Sequence, residues 1–156
     1  MTTKRVSRAA HSYATSRIIR QLSQFRYQLR LFLRFSERAA RAAGVTPQQH
    51  QLMLGVSGFT GRGWATISEL AEFLQERHNA VVTLVNRAAS AKLVRKGTVA
   101  TDRRCVRVEL TPTGGSILMK LSALHRKELA RFEFGTVSAA SRGDRKRVPG
   151  SPQRPS

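Results

Sequence analysis

Acidic residues are scarce in this chain: 9 Asp and Glu stand against 28 Lys and Arg in 156 residues, a formal net charge of +19. A surface of that sign selects polyanionic partners, such as nucleic acid or an anionic membrane face. Cysteine is almost absent, with Cys105 alone, which excludes an intramolecular disulfide framework and any CxxC-type zinc site and fits a reducing cytosol. Long apolar runs are missing too. None approaches the roughly 18 residues of a membrane span, and no apolar signal-peptide core follows the basic N-terminus. The expectation is a soluble, cytoplasmic protein without a membrane partner. No Ser/His/Asp set, glycine-rich phosphate loop or paired carboxylates is legible, and His11, His50, His78 and His125 lack metal-ligand spacing. No catalytic residue, metal or cofactor is therefore expected.

The charge is not confined to the ends. Residues 1–24 carry +5 and residues 137–156 carry +4, so +10 lies between them, in the stretch where a single core of ordinary size can form. Residues 1–15 show no sustained period and read as a flexible basic arm. From Ile18 onward, Ile18, Leu22, Phe25, Leu29, Phe32, Ser36 and Ala39 recur in steps of four and three, the spacing of one helix seam facing another helix. That helix is expected over 16–43, ended by Gly44 and Pro47. The arginines flanking the seam read as a solvated face, with nucleic-acid contact as the alternative. Residues 135–156, rich in Gly, Ser, Pro and Arg, read as a disordered basic tail.

Thr46 with Pro47 opens a second helix, expected over 47–56. A glycine-rich loop follows at 58–63, then a short strand at Trp64 and Ala65, with Trp64 read as a packing residue. Thr66, Ile67, Ser68 and Glu69 form a capping box. Ile67, Leu70, Ala71 and Leu74 continue at helical spacing, Gln75 to Arg77 form a polar break, and Val81, Leu84, Val85 and Ala88 make the buried stripe of a helix from His78 to Ala89. Two short helices joined by such a turn, over 66–89, form a helix-turn-helix, whose second helix enters the DNA major groove. Strands are expected at 93–96 and 105–110, with a hairpin tip at 97–104. A basic hairpin after a recognition helix forms a wing, here 93–110, able to reach the narrow minor groove or phosphates. Thr111 and Pro112 start a last helix through Phe134 with Ile117, Leu121, Leu124 and Leu129 on apolar positions.

From Phe25 to about Phe132 the chain resembles the MarR family of bacterial regulators. The resemblance rests on GVTPQQHQLML, TISELAEFL, HNAVVTLVNRA, KLV and the segment TDRRCVRVELTPTG, whose D-x-R wing and LTxxG lie at the family's distance from the helix-turn-helix. It implies a mainly helical (α+β) winged helix-turn-helix domain over 16–134, flanked by long dimerisation helices. It further implies that Arg104 is the wing arginine placed in the minor groove, that Asp102 orients it by a charge-assisted pair, and that Arg103 lies against phosphate. Asn79, Ala80 and Thr83 become the candidates for base edges, Asn79 suiting adenine. Arg77 and His78 suit phosphate positioning. Arg87 is a candidate for DNA contact or for a structural pair with Asn86, Asp102 or a carboxylate. Double-stranded DNA, a second copy of the chain and a small-molecule effector are the partners implied.

Three departures from the family pattern stand out. Lys92 replaces a common glycine before the first wing strand, so that turn must tolerate a side chain. Asn86 replaces the usual aspartate. No final helix is legible after the long one, which leaves dimerisation to Ile18, Leu22, Phe25 and Leu29 with Leu121 and Leu124. Cys105 on the wing strand reads as a packing residue and not as a redox sensor. A sequence-specific, ligand-responsive repressor on a pseudo-palindromic operator is the function implied. A nonspecific or architectural nucleic-acid binder is the alternative, and an enzyme for an acidic substrate has only the charge to support it.

Overall fold

The computed structural model describes residues 3–99 and 102–131, and side chains over 16–99 and 105–131. The proposed tail at 135–156 and the end of the last predicted helix lie outside the described residues. Helix α1 runs Thr3–Ala42, so the boundary expected near Ser16 is absent and residues 3–15 continue the helix. Neither glycine nor proline occurs before Gly44, and Arg, Ala, Leu and Gln, all good helix formers, fill the segment. Gly44 ends it at φ +78, with the Val45 N–H returning to the Ala40 carbonyl at 3.1 Å, a left-handed stop that glycine adopts without steric cost.

Thr46 caps α2 (Pro47–Leu54) as read: its hydroxyl accepts from the Gln49 N–H, and the Gln49 side chain accepts from the Thr46 N–H at 2.9 Å. The chain does not then enter a glycine loop at 58. A π-helical turn spans Gly55–Phe59, and the loop is reduced to 60–63. Gly55 is right-handed (φ −61); its missing side chain lets the Phe73 ring approach to where a Cβ would meet it at 2.6 Å. The glycine serves packing instead of breaking the helix.

Strand β1 (Trp64–Thr66), α3 (Ile67–Leu74), α4 (His78–Ser90), β2 (Val94–Val99), β3 (Asp102–Leu110) and α5 (Pro112–Leu129) complete the order. The sheet is antiparallel throughout, ordered β1-β3-β2, with Trp64 opposite Glu109 and Val94 opposite Leu110. Both wing strands are longer than predicted, because polar residues on a two-stranded ribbon carry no apolar alternation to mark them. Asp102 to Arg104 therefore belong to β3 and not to a loop.

Leu52 and Met53 of α2, Leu70 of α3, Val81 and Val85 of α4, Val108 of β3 and Leu121 of α5 are fully buried. The core thus joins α2, the helix-turn-helix, the sheet and α5. Among the described residues, helix α1 joins it near its end, through Ala40 and the half-buried Ala39. On α5 the buried positions are Gly114, Leu118 and Leu121, with Leu124 and Leu129 exposed. The LTxxG segment has a plain physical task. The Thr111 hydroxyl accepts from the Gly114 N–H at 3.0 Å and donates to the Lys92 carbonyl at 2.6 Å, tying the start of α5 to the turn after α4. At Gly114 any Cβ would collide with the Leu93 carbonyl.

Candidate nucleic-acid interface

Thr66 and Glu69 build the entry to the helix-turn-helix. The Thr66 hydroxyl accepts from the Glu69 N–H at 3.3 Å, and the Glu69 carboxylate accepts from the Thr66 N–H at 2.8 Å. That backbone N–H and the Arg62 guanidinium hold the Glu69 carboxyl below its ordinary pKa. Gln75 closes α3 in the left-handed region at φ 53, a conformation non-glycine residues adopt sparingly, and Arg77 then opens α4.

Val81, Leu84, Val85 and Ala88 turn inward. Arg77, His78, Asn79, Ala80, Thr83 and Arg87 are all exposed. Helical spacing thus collects Asn79, Ala80, Thr83 and Arg87 on one solvent-facing side, and Arg77 and His78 are exposed at the start of the helix. The Thr83 hydroxyl donates to the Asn79 carbonyl at 3.1 Å, which fixes its rotamer and leaves its oxygen as an acceptor. Among the described residues Arg87 has no ion-pair partner. Asn86, one of its proposed partners, instead accepts from Lys96 Nζ at 2.9 Å, a bond that joins α4 to the wing. The side chains of Asp102, Arg103 and Arg104 lie outside the described residues; their backbone opens β3, next to a register irregularity at Thr98 and Val99.

Two features have residues that were not named from the sequence. One is a cavity of about 510 Å³ between α1, α2 and α4, lined by Leu33, Ser36, Gln51, Thr83, Leu84 and Arg87 among others, with Ala80 also on its wall. Three candidate DNA readers therefore share a wall with it, a juxtaposition of distant segments that no local period announces. The other lies at the wing base. Arg62 and Arg107 both stand over the Trp64 ring, 3.8 and 4.8 Å from its centroid. Arg62 pairs with Glu69 at 2.5 Å, Arg107 pairs with Glu109, and Arg95 reaches Glu109 at 2.7 Å. Arg95 and Arg107 hold the Glu109 carboxyl below its ordinary pKa.

Of the proposed dimerisation residues, Ile18, Leu22, Phe25 and Leu124 are exposed and Leu29 is half-buried. Leu121 is a correction: it is 1% exposed in the protomer's own core, because α5 turns that face onto α2, and it has no surface to offer a second copy.

The sequence model described as MarR family matches residues 43–104. The transcriptional regulator MOSR of Mycobacterium tuberculosis, solved in complex with DNA, is 30% identical over 85% of this chain and 83% of its own, with a TM-score of 0.52. The chain belongs to the MarR family. A further MarR family transcription regulator is 25% identical over 80% of both chains, TM-score 0.68. Mutant Escherichia coli MarR, complexed with operator DNA, shares the fold at 19% identity over 80% of this chain and 90% of its own, TM-score 0.60. No curated protein matches by sequence. MarR membership makes the chain a DNA-binding transcriptional regulator with a winged-helix fold. Among the described residues no helix is long and apolar enough to cross a membrane.

Proposed function

We propose that this MarR-family chain is a sequence-specific repressor that binds a pseudo-palindromic operator as a homodimer and is released by a small molecule. The observation that carries the reading is the exposure of Asn79 and Thr83 on the outward face of α4, with Arg77 and His78 exposed at its start, set beside a basic wing through the Lys96–Asn86 bond. Asn79 and Thr83 read base edges, Arg77 and His78 contact phosphate, and Arg104, oriented by Asp102, enters the minor groove with Arg103 against the backbone. MOSR and the E. coli protein were each solved with DNA, which supports the same partner here.

A second copy is supported by apolar side chains left in solvent on α1, among them Ile18 and Leu22 at 55% and 56% exposure, since a helix face of this kind is ordinarily covered. Two-fold symmetry would then pair two recognition helices with two half-sites. An effector in the cavity would press on α4 directly, because Ala80, Thr83 and Arg87 line it. Its differential affinity for the two states would set the release.

A footprint on the DNA flanking the protein's own gene tests the reading. Protection of one short palindromic site, lost in Arg104→Ala, is expected. Equal binding to unrelated duplexes, with a steep salt dependence and no preferred site, would identify an architectural binder instead.

A further inference from the structure

A winged helix reads two grooves at once, so the angle between wing and recognition helix must be held by something. The sheet alone is slight: β1 contributes three residues. What spans the junction is a continuous set of charged and aromatic contacts. Arg95 of β2 and Arg107 of β3 share Glu109; Arg107 lies over Trp64 of β1; Arg62 lies over the same ring and pairs with Glu69; Glu69 caps α3. A guanidinium over an indole face is attractive, and most so for tryptophan. Two guanidinium groups at one ring would repel each other, and the carboxylates of Glu69 and of Glu109, the latter shared with Arg95, offset that repulsion.

We infer that Trp64 is the positioning residue of the wing: its ring, gripped by Arg62 and Arg107, sets the wing's pitch relative to the helix-turn-helix without touching DNA. The inference deepens the DNA-binding reading and rests on it for its consequence, though not for its geometry. Core packing of Trp64 does not account for the arrangement. β1 is anchored by Ala65, fully buried, whereas Trp64 is only half-buried. Removing the indole therefore releases two arginines and leaves the core filled.

The geometry is tested without DNA. Spin labels at Glu72→Cys on α3 and Thr98→Cys on the wing, in a Cys105→Ser background, report the distance distribution by double electron–electron resonance. Trp64→Leu should broaden it, and Trp64→Tyr, which keeps an aromatic face, should keep it narrow. On the operator, Trp64→Leu should weaken binding about fivefold, the scale of one partly exposed cation–π pair, and should erase minor-groove protection while major-groove protection persists. Trp64→Tyr should restore most of both. An unchanged distance distribution in Trp64→Leu overturns the inference, as does a narrow distribution lost equally in Trp64→Tyr. If no DNA site is protected by the wild type while the distances behave as expected, the regulator reading fails and the positioning role stands.

Discussion

His50 and His125 face each other with ring centroids 4.9 Å apart, at the junction of α2 and α5. His125 is held on both nitrogens: Nδ1 bonds the Leu121 carbonyl at 2.7 Å, and Nε2 bonds the Ser36 hydroxyl at 2.8 Å. The rings of Phe32 and Phe35 stand edge-on to it. His125 is thus the main polar link between α1 and α5. His50 is 1% exposed, with its Nδ1 buried and without a hydrogen-bond partner. Burial first, and then the neighbouring His125, lower its pKa to about 4.

That depression makes the fold acid-sensitive in a defined window. Below the ordinary pKa of about 6.5 the unfolded chain binds a proton that folded His50 refuses, so stability falls as pH drops from 6.5 toward 4 and levels off below it. The loss over the whole window is roughly 3 kcal/mol. Urea unfolding at a series of pH values should show it, and His50→Leu, close in volume and without a titrating group, should flatten the curve between pH 4 and 6.5. A slope unchanged by the substitution would assign the sensitivity to another group.

Gly114 and Gly115 are neighbours at the start of α5 with opposite expectations. A methyl at Gly114 meets the Leu93 carbonyl, a backbone atom held by the Thr111 N–H at 3.0 Å, whereas nothing lies within 4 Å of a Cβ at Gly115. Gly114→Ala should cost about 2 to 4 kcal/mol, in the range of core overpacking and strain. Gly115→Ala should stabilise by up to about 1 kcal/mol through helix propensity. Thermal unfolding of the pair measures both, and a similar effect at the two sites would contradict the close approach at Leu93.

Lys92 sits at φ 58, just beyond the end of α4, with the Leu93 N–H bonding back to the Ala88 carbonyl at 3.0 Å. Its side chain opposes a left-handed stop that glycine takes freely. Lys92→Gly relieves that cost and adds some unfolded-state entropy, for a net gain of about 0.5 to 1 kcal/mol. Denaturation midpoints at matched ionic strength check the sign. A destabilised variant would mean that the lysine makes up for its backbone elsewhere.

The sequence exposed what is local and periodic. Thr66 gave up its capping box and Thr46 its cap, because donor and acceptor lie three residues apart; the second box, closed by Gln49, appears in the structure. The i, i+3, i+4 stripe from Val81 to Ala88 placed the reading face of α4 by exclusion. The strained turn at Lys92 was legible as a side chain standing where the family carries glycine, and the structure has it there. What stayed hidden depends on partners far along the chain. The seam from Ile18 to Ala39 has the right period along its whole length, yet only Ser36 near its end is buried. The pattern says which face is apolar and not which part of it the protomer itself covers. Leu121 was misassigned for the converse reason, since an apolar helix position does not declare whose core it fills. Trp64, Arg107 and Arg62 became one cluster only through the register of β1 on β3, with Thr66 opposite Arg107.

The exposed residues of α4 divide into two classes with separable signatures. Arg77, at the helix start, offers a point charge to phosphate, which contributes equally on every sequence. Asn79 offers a paired donor and acceptor that fits one base. Arg77→Ala should therefore weaken binding to operator and random duplex alike, and should lower the slope of log affinity against log salt by about 1 per subunit. Asn79→Ala should leave that slope and random-duplex affinity unchanged, and should cost about 1 to 3 kcal/mol on the operator, with loss of discrimination at a single base position in each half-site. Affinity titrations at several salt concentrations, on operator and scrambled DNA, supply the affinities and the slopes. If Asn79→Ala fell equally on both duplexes, Asn79 would be a backbone contact, and the specificity of this regulator would have to come from the wing and from the shape of the DNA.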